Sequence, residues 1–151
     1  MRDCGRDYIC VIGSLNYDII MKQKRMPLLG ETYTADSITY SGGGKGANQA
    51  VQCAKLGIDT IMVGKVGRDA FGDTLVDGTV YASIITGANF DITSREIDGL
   101  DELVRSSRII ILQLEIPTGV VEHIIRKAKQ YHVYTILNAA PAKEMDREVL
   151  K

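Results

Sequence analysis

The sequence predicts an α/β protein: a mainly parallel central sheet with helices on both faces, plus a small β excursion. Three observations predict it. Short apolar runs recur along the chain, YICVIGS (Tyr8–Ser14), TIMVGKV (Thr60–Val66), IIILQL (Ile109–Leu114) and VYTILN (Val133–Asn138). Nearly continuous apolar strands belong to sheets covered on both faces. Stretches of helical apolar spacing separate the runs. One segment, Ile19–Tyr40, breaks this rhythm, carrying Pro27, Gly30 and the alternating ETYTADSITY. That pattern fits a hairpin-like excursion from the main sheet.

Each element has its own local cause. After the first run, Ala47, Ala50, Val51 and Ala54 recur at helical spacing, and Gly57 is placed to end that helix. Asp69 is placed to cap a helix containing Phe71 and Leu75. Val80–Thr86 reads as a strand. Thr93-Ser94-Arg95-Glu96 fits a capping box. Pro117 suits the first position of a helix whose stripe is Val121, Ile124, Ile125 and Ala128. Lys143–Leu150 reads as a last helix. Ligands of such sheets gather at the carboxyl ends of strands. The polar residues there are Asn16 and Asp18 after the first strand, Glu115 after IIILQL, and Asn138 after VYTIL.

Composition bounds the class. The 151 residues suffice for one domain with a real core. A net charge of −1 gives no long-range pull on nucleic acid or an anionic membrane. No apolar run is long enough to span a bilayer, and MRDCGRD at the N-terminus is polar rather than a secretory signal. Cys4, Cys10 and Cys53 form no disulfide framework and no zinc-ligand pair. They read as reduced thiols of a cytoplasmic protein. His123 and His132 lack metal-ligand spacing, so no metal site is expected.

The stretch SGGGKGANQA (Ser41–Ala50) invites a phosphate-loop reading, which fails. Gly44-Lys45 is followed by Gly46, not by the hydroxyl residue that holds magnesium. Gly42, Gly44 and Ala47 match a dinucleotide fingerprint, but no ribose-binding acid follows about 20 residues on. A backbone surface for a polyhydroxylated ligand fits better. Glycines admit close approach, Asn48 offers donor and acceptor, and Lys45 supplies a positive charge. Asp18 and Glu115 can accept from sugar hydroxyls. A plain strand-to-helix turn remains the alternative.

Beyond these patterns, the chain resembles the ribokinase-like carbohydrate kinases. The resemblance rests on GGKGANQA (Gly43–Ala50), then six residues, Gly57, nine residues and Gly67. IGSLNYDI, VGRDAFGD, TGANFDIT, LQLEIP and LNAAPAKEM stand around it in the family order. The resemblance covers nearly the whole chain and is strongest to members that act on ribose. It implies transfer of the γ-phosphoryl group of ATP to the 5-hydroxyl of D-ribose, with Mg2+ and an activating K+. It also implies that Asn16, Asp18, Gly43, Gly44, Lys45, Asn48 and Glu115 bind the sugar. Lys45 would sit near both sugar and transferred phosphate. Residues 17–40, with a remnant strand near 79–86, would supply lid strands that also clasp a homodimer.

Blander roles stay open for several of these. Asn16 and Asp18 also suit a turn, Glu115 a helix N-terminus, and Lys45 a solvated surface. Asp69 and Asp73 read as a cap and a polar-face residue, not a magnesium pair. Two departures from the family matter. The chain ends about halfway through the family pattern, before the Gly-Ala-Gly-Asp motif with its catalytic aspartate, so no catalytic residue is assigned within 1–151. Between Leu75 and Ile84 a longer family segment is missing. The expectation is therefore the sugar-binding half of an incomplete ribokinase-like fold, with ATP gripped mostly by residues elsewhere. The alternatives are a sugar-binding or regulatory module without catalysis, or a kinase for another sugar or nucleoside.

Overall fold

The computed structural model describes residues 8–76, 82–86 and 89–151. Five parallel strands form one sheet: β1 (Ile9–Ile12), β4 (Thr60–Val66), β5 (Ala82–Thr86), β6 (Ile109–Gln113) and β7 (Tyr134–Asn138). Their spatial order is β5-β4-β1-β6-β7, so the first strand lies in the middle. Its position explains its composition. Cys10, Val11 and Ile12 are wholly buried, as a strand flanked by neighbours and covered on both faces must be.

Alternate side chains of β1 serve two cores. Cys10 and Ile12 join Ile110 and Leu112 against three helices on one face: α3 (Ser94–Asp98), α4 (Asp101–Ser106) and α5 (Thr118–Gln130). The α5 stripe is the expected one, since Val121, Ile124, Ile125 and Ala128 are all buried. Ile9, Val11 and Met62 face the opposite way, against Ala50 of α1 (Lys45–Lys55). The helices of the first face are also linked by charge, for Lys127 of α5 lies 2.9 Å from Asp98 and 2.6 Å from Asp101.

The expected excursion forms a separate two-stranded antiparallel ribbon, β2 (Asn16–Lys22) with β3 (Ser37–Gly43). The helix α2 (Ala70–Val76) begins at Asp69, whose carboxylate accepts from the Gly72 N–H at 2.8 Å. The capping box is present in full: Thr93 accepts from the Glu96 N–H, and Glu96 accepts from the Thr93 N–H.

Several sequence expectations change. The segment expected near 79–86 as a lid remnant contains β5, which pairs parallel with β4 at the sheet edge instead. Residues 79–81, and part of the shortened stretch after Leu75, lie outside the described residues, as does Cys4. Lys143–Leu150 is not a helix but one 3-10 turn, Arg147–Leu150, capped by Asp146. Only Val149 of that turn is buried, so no apolar face repays the cost of nucleating a longer helix. Pro117 precedes α5 as its cap residue rather than opening its first turn. Finally, β7 is covered on one face only. Ile136 stands in register with Ile111, on the α1 side, and remains 46% exposed.

The buried Cys10 gives a direct check of the central strand. Burial first, only partly offset by a hydrogen bond with Ser107, pushes its thiol up to about 12. The expected outcome is that iodoacetamide at pH 8 leaves Cys10 unmodified in the native protein and labels it after denaturation, read by peptide mass spectrometry. Leu112→Ala, which removes a fully buried side chain beside it, is expected to cost about 2–5 kcal/mol in denaturant unfolding.

Candidate functional site

The carboxyl ends of β1 and β6 lie side by side, and the chain leaving each meets the start of α1. There Glu115 makes three contacts. One carboxylate oxygen accepts from the Ser14 hydroxyl at 2.5 Å and from the Lys45 N–H at 3.1 Å. The other accepts from Lys45 Nζ at 2.7 Å. Burial works to raise the Glu115 pKa, but the Lys45 side chain, the Ser14 hydroxyl and the Lys45 N–H outweigh it and hold it below the usual value.

A helix begins with four backbone N–H groups that lack helical partners. In α1 the N–H groups of its first three residues are taken from outside the helix. Lys45 N–H donates to Glu115, Gly46 N–H to the Ser14 hydroxyl and Ala47 N–H to the Ser14 carbonyl, while Asn48 N–H makes the first helical bond, to the Gly44 carbonyl. The helix therefore starts at Lys45, earlier than the apolar spacing from Ala47 indicated. Gly44 makes this junction possible. Its φ of 94° is in the left-handed region, and a Cβ there would lie 2.9 Å from both Asn16 N and Ser14 O.

Asn16 and Asp18 stand two residues apart on β2 and so share one face of the ribbon. Asn16 is opposite Gly43 in register, and the Asp18 carboxylate lies where a Cβ on Gly43 would be. Asn16 and Asp18 form one wall of a cavity of about 480 Å³, and Lys65 near the end of β4, with Gly67 and Asp69 just beyond it, forms another. A smaller cavity of about 150 Å³ adjoins it, lined by Gly42, Gly43, Asn48 and Val51. Leu15 and Leu75 border both.

The seven sequence-predicted residues thus fall into three neighbouring groups. Asn16 and Asp18 face the larger cavity, Gly43 and Asn48 the smaller, and Lys45 with Glu115 form the ion pair at the head of α1, joined to the ribbon through Gly44. Two further residues were not singled out by sequence reasoning. Ser14 is wholly buried and ties β1 to α1. Asn89 accepts from the Leu15 N–H at 3.0 Å and donates to Asn16 Oδ1 at 2.6 Å. The only signal for Asn89 was its place in TGANFDIT. A cavity of about 680 Å³ lies elsewhere, between Leu137 and the segment Ala142–Leu150, and none of the predicted residues lines it.

The described residues do not fit a magnesium ion or a nucleotide phosphate. Among them no three His, Cys, Asp or Glu side chains converge. The N–H groups of α1, which would otherwise attract a phosphate, are already engaged.

Residues 6–88 match the model of the pfkB family carbohydrate kinases, more than half of the chain. The chain belongs to that family. Among curated relatives of this pfkB-family chain, Bacillus subtilis ribokinase is 31% identical over 94% of the chain and 58% of its own length. Salmonella typhi deoxyribokinase is 34% identical over 91% of the chain and 55% of its own length. The structure of Arabidopsis thaliana ribokinase complexed with ribose and ATP superposes with a TM-score of 0.80 at 27% identity, covering 95% of the chain and 57% of that protein. The pfkB-family chain thus has the ribokinase fold, and it spans a little over half the length of these relatives.

The Glu115 cluster has a pH signature. A carboxylate whose folded pKa is depressed stabilises the fold above its unfolded pKa and loses that contribution as pH falls through the folded value. Glu115→Gln is therefore expected to lower stability at pH 7, by about 1–2 kcal/mol. The gap from wild type should close as pH drops from the ordinary value of 4.5 through the lower folded one, measured as paired melting curves.

Proposed function

We propose that the protein carrying this chain is a sugar kinase that transfers the γ-phosphoryl group of ATP to the 5-hydroxyl of D-ribose, and that this chain forms the acceptor's half of the site. The observation that carries the reading is the pairing of Asn16 and Asp18 on one face of β2, against a Gly43 that leaves room for them, beside a cavity at the carboxyl end of the sheet. An amide and a carboxylate on one face suit adjacent hydroxyls, each of which both donates and accepts. The ribokinase and deoxyribokinase relatives support a pentose as the substrate class.

In this reading Asn16 and Asp18 orient the ring hydroxyls, and Gly43 and Gly44 let the backbone lie against the sugar. Asn48 contributes from the adjoining cavity. Lys45, steered by Glu115, offsets negative charge developing near the reacting hydroxyl. Bound ATP supplies the phosphoryl group. It and the Mg2+ and K+ of the family are assigned to residues other than those described, and the protein is placed in the cytoplasm.

The ribbon β2–β3 is proposed as the lid and dimer clasp. Its faces differ in chemistry. Asn16 and Asp18 occupy one, while Ile19, Met21, Ile38 and Tyr40 share the other by register and are about half exposed. Exposed apolar strands need a cover, and a second copy of the same ribbon would supply one. Closure would exclude water as a competing acceptor.

The test is ribose-dependent release of ADP by the full protein, with 2-deoxyribose as comparator. Turnover of ribose is expected, with Asp18→Asn lowering kcat/KM at least roughly tenfold. Gly43→Ala, which displaces the Asp18 carboxylate, is expected to raise the KM for ribose. Absence of any ribose-dependent release would refute the kinase reading. Calorimetric ribose binding without turnover would instead establish the second reading, a sugar-binding module.

A further inference from the structure

Asn89 joins two parts of the site, and its hydrogen bonds run in one direction only. The Leu15 N–H can only donate, so the Asn89 atom it meets at 3.0 Å must be the oxygen. The other end of the Asn89 amide is then Nδ2, which can only donate. Its partner on Asn16, 2.6 Å away, must in turn be the oxygen. The backbone at Leu15 thereby settles the orientation of two amides in sequence. What remains on Asn16 is Nδ2, and it has no protein partner among the described residues.

We infer that Asn89 is a positioning residue that sets the polarity of the sugar site by leaving only the donor end of the Asn16 amide for the ligand. The inference rests on the sugar-binding reading and deepens it. With Asn16 fixed as donor and the Asp18 carboxylate as acceptor, the wall they share accepts a ligand in one sense only. A hydroxyl oxygen must face Asn16, and a hydroxyl hydrogen must face Asp18. An amide free to rotate would read either sense and would discriminate less.

The support behind Asn89 is rigid. Asn89 opens the 3-10 turn Asn89–Asp91, and Lys65 of β4 donates to the Asp91 carbonyl at 2.8 Å. Lys65 is also paired with Glu96 at 2.9 Å, and Glu96 is held by the Thr93 capping box. The turn is thus pinned to the central sheet from below, and Asn89 reaches from it over the β1–β2 connection. A group held this way has little freedom to turn when the ligand arrives.

Asn89→Asp separates this role from a merely structural one. It keeps an oxygen for the Leu15 N–H but removes the donor to Asn16, whose own Nδ2 is then drawn to the new carboxylate. Ribose affinity is measured by calorimetry on the full protein, with steady-state kinetics and melting curves alongside. The expected result is a roughly tenfold or greater weakening of ribose binding, with KM rising far more than kcat falls, and little change in melting temperature. Asn89→Ala, which loses both bonds, should weaken binding and lower the melting temperature together. If wild type binds ribose and N89D binds it equally well, the inference is overturned while the sugar reading stands. If wild type binds no pentose, the sugar reading falls and this inference falls with it.

Discussion

The carboxylate of Glu115 is the constraint on which the site depends. It comes from the end of β6, yet it takes the first N–H of α1, the hydroxyl at the end of β1 and the ammonium of Lys45. Three elements far apart in sequence are fixed by one side chain. A half-buried ion pair alone is weak evidence for stability. Here the added hydrogen bonds satisfy the carboxylate, and the same group sits where a negative charge favours the helix N-terminus. The blander expectation for Glu115, an acid at a helix start, therefore holds in altered form. The helix is α1, not the α5 that follows it in sequence.

The central sheet supports this junction through packing. Because β1 lies between β4 and β6, its two faces feed two separate cores. Any shift of α1 would disturb Ala50 and Met62 on one side, while β1 itself is held by α3, α4 and α5 on the other. The site is consequently built where strand ends and one helix start meet, beside the buried centre of the sheet. The ribbon is the opposite case. It projects from the sheet, held at its base by the glycine stretch and by Asn89, and much of its apolar surface is exposed.

How much of this was legible in sequence varies with the physics. The β strands and α5 could be read because burial imposes a period on the residues themselves. The capping box could be read because Thr93 and Glu96 are three residues apart. The Asp69 cap was legible for the same local reason. The terminal helix was misread because spacing alone does not reveal that nothing lies beneath it. The strand at 82–86 was recognisable as a strand, but its partner was not, since parallel pairing with β4 depends on the whole sheet. Ser14 and Asn89 escaped notice because their importance lies in contacts with residues more than thirty positions away. Asn16, Asp18, Lys45, Asn48 and Glu115 stood out as polar groups at strand ends and around the glycine turn, the family resemblance joined them with Gly43 and Gly44 into one proposed set, and the structure adds how they are grouped.

The closed start of α1 has a consequence for what this half of the site can hold. A free helix start grips anions without regard to what carries them. One whose donors already face inward offers a phosphate no more than it offers a hydroxyl. In the proposed sugar site, charge for a new phosphate would then come from the Lys45 ammonium, already shared with Glu115, and not from the helix start.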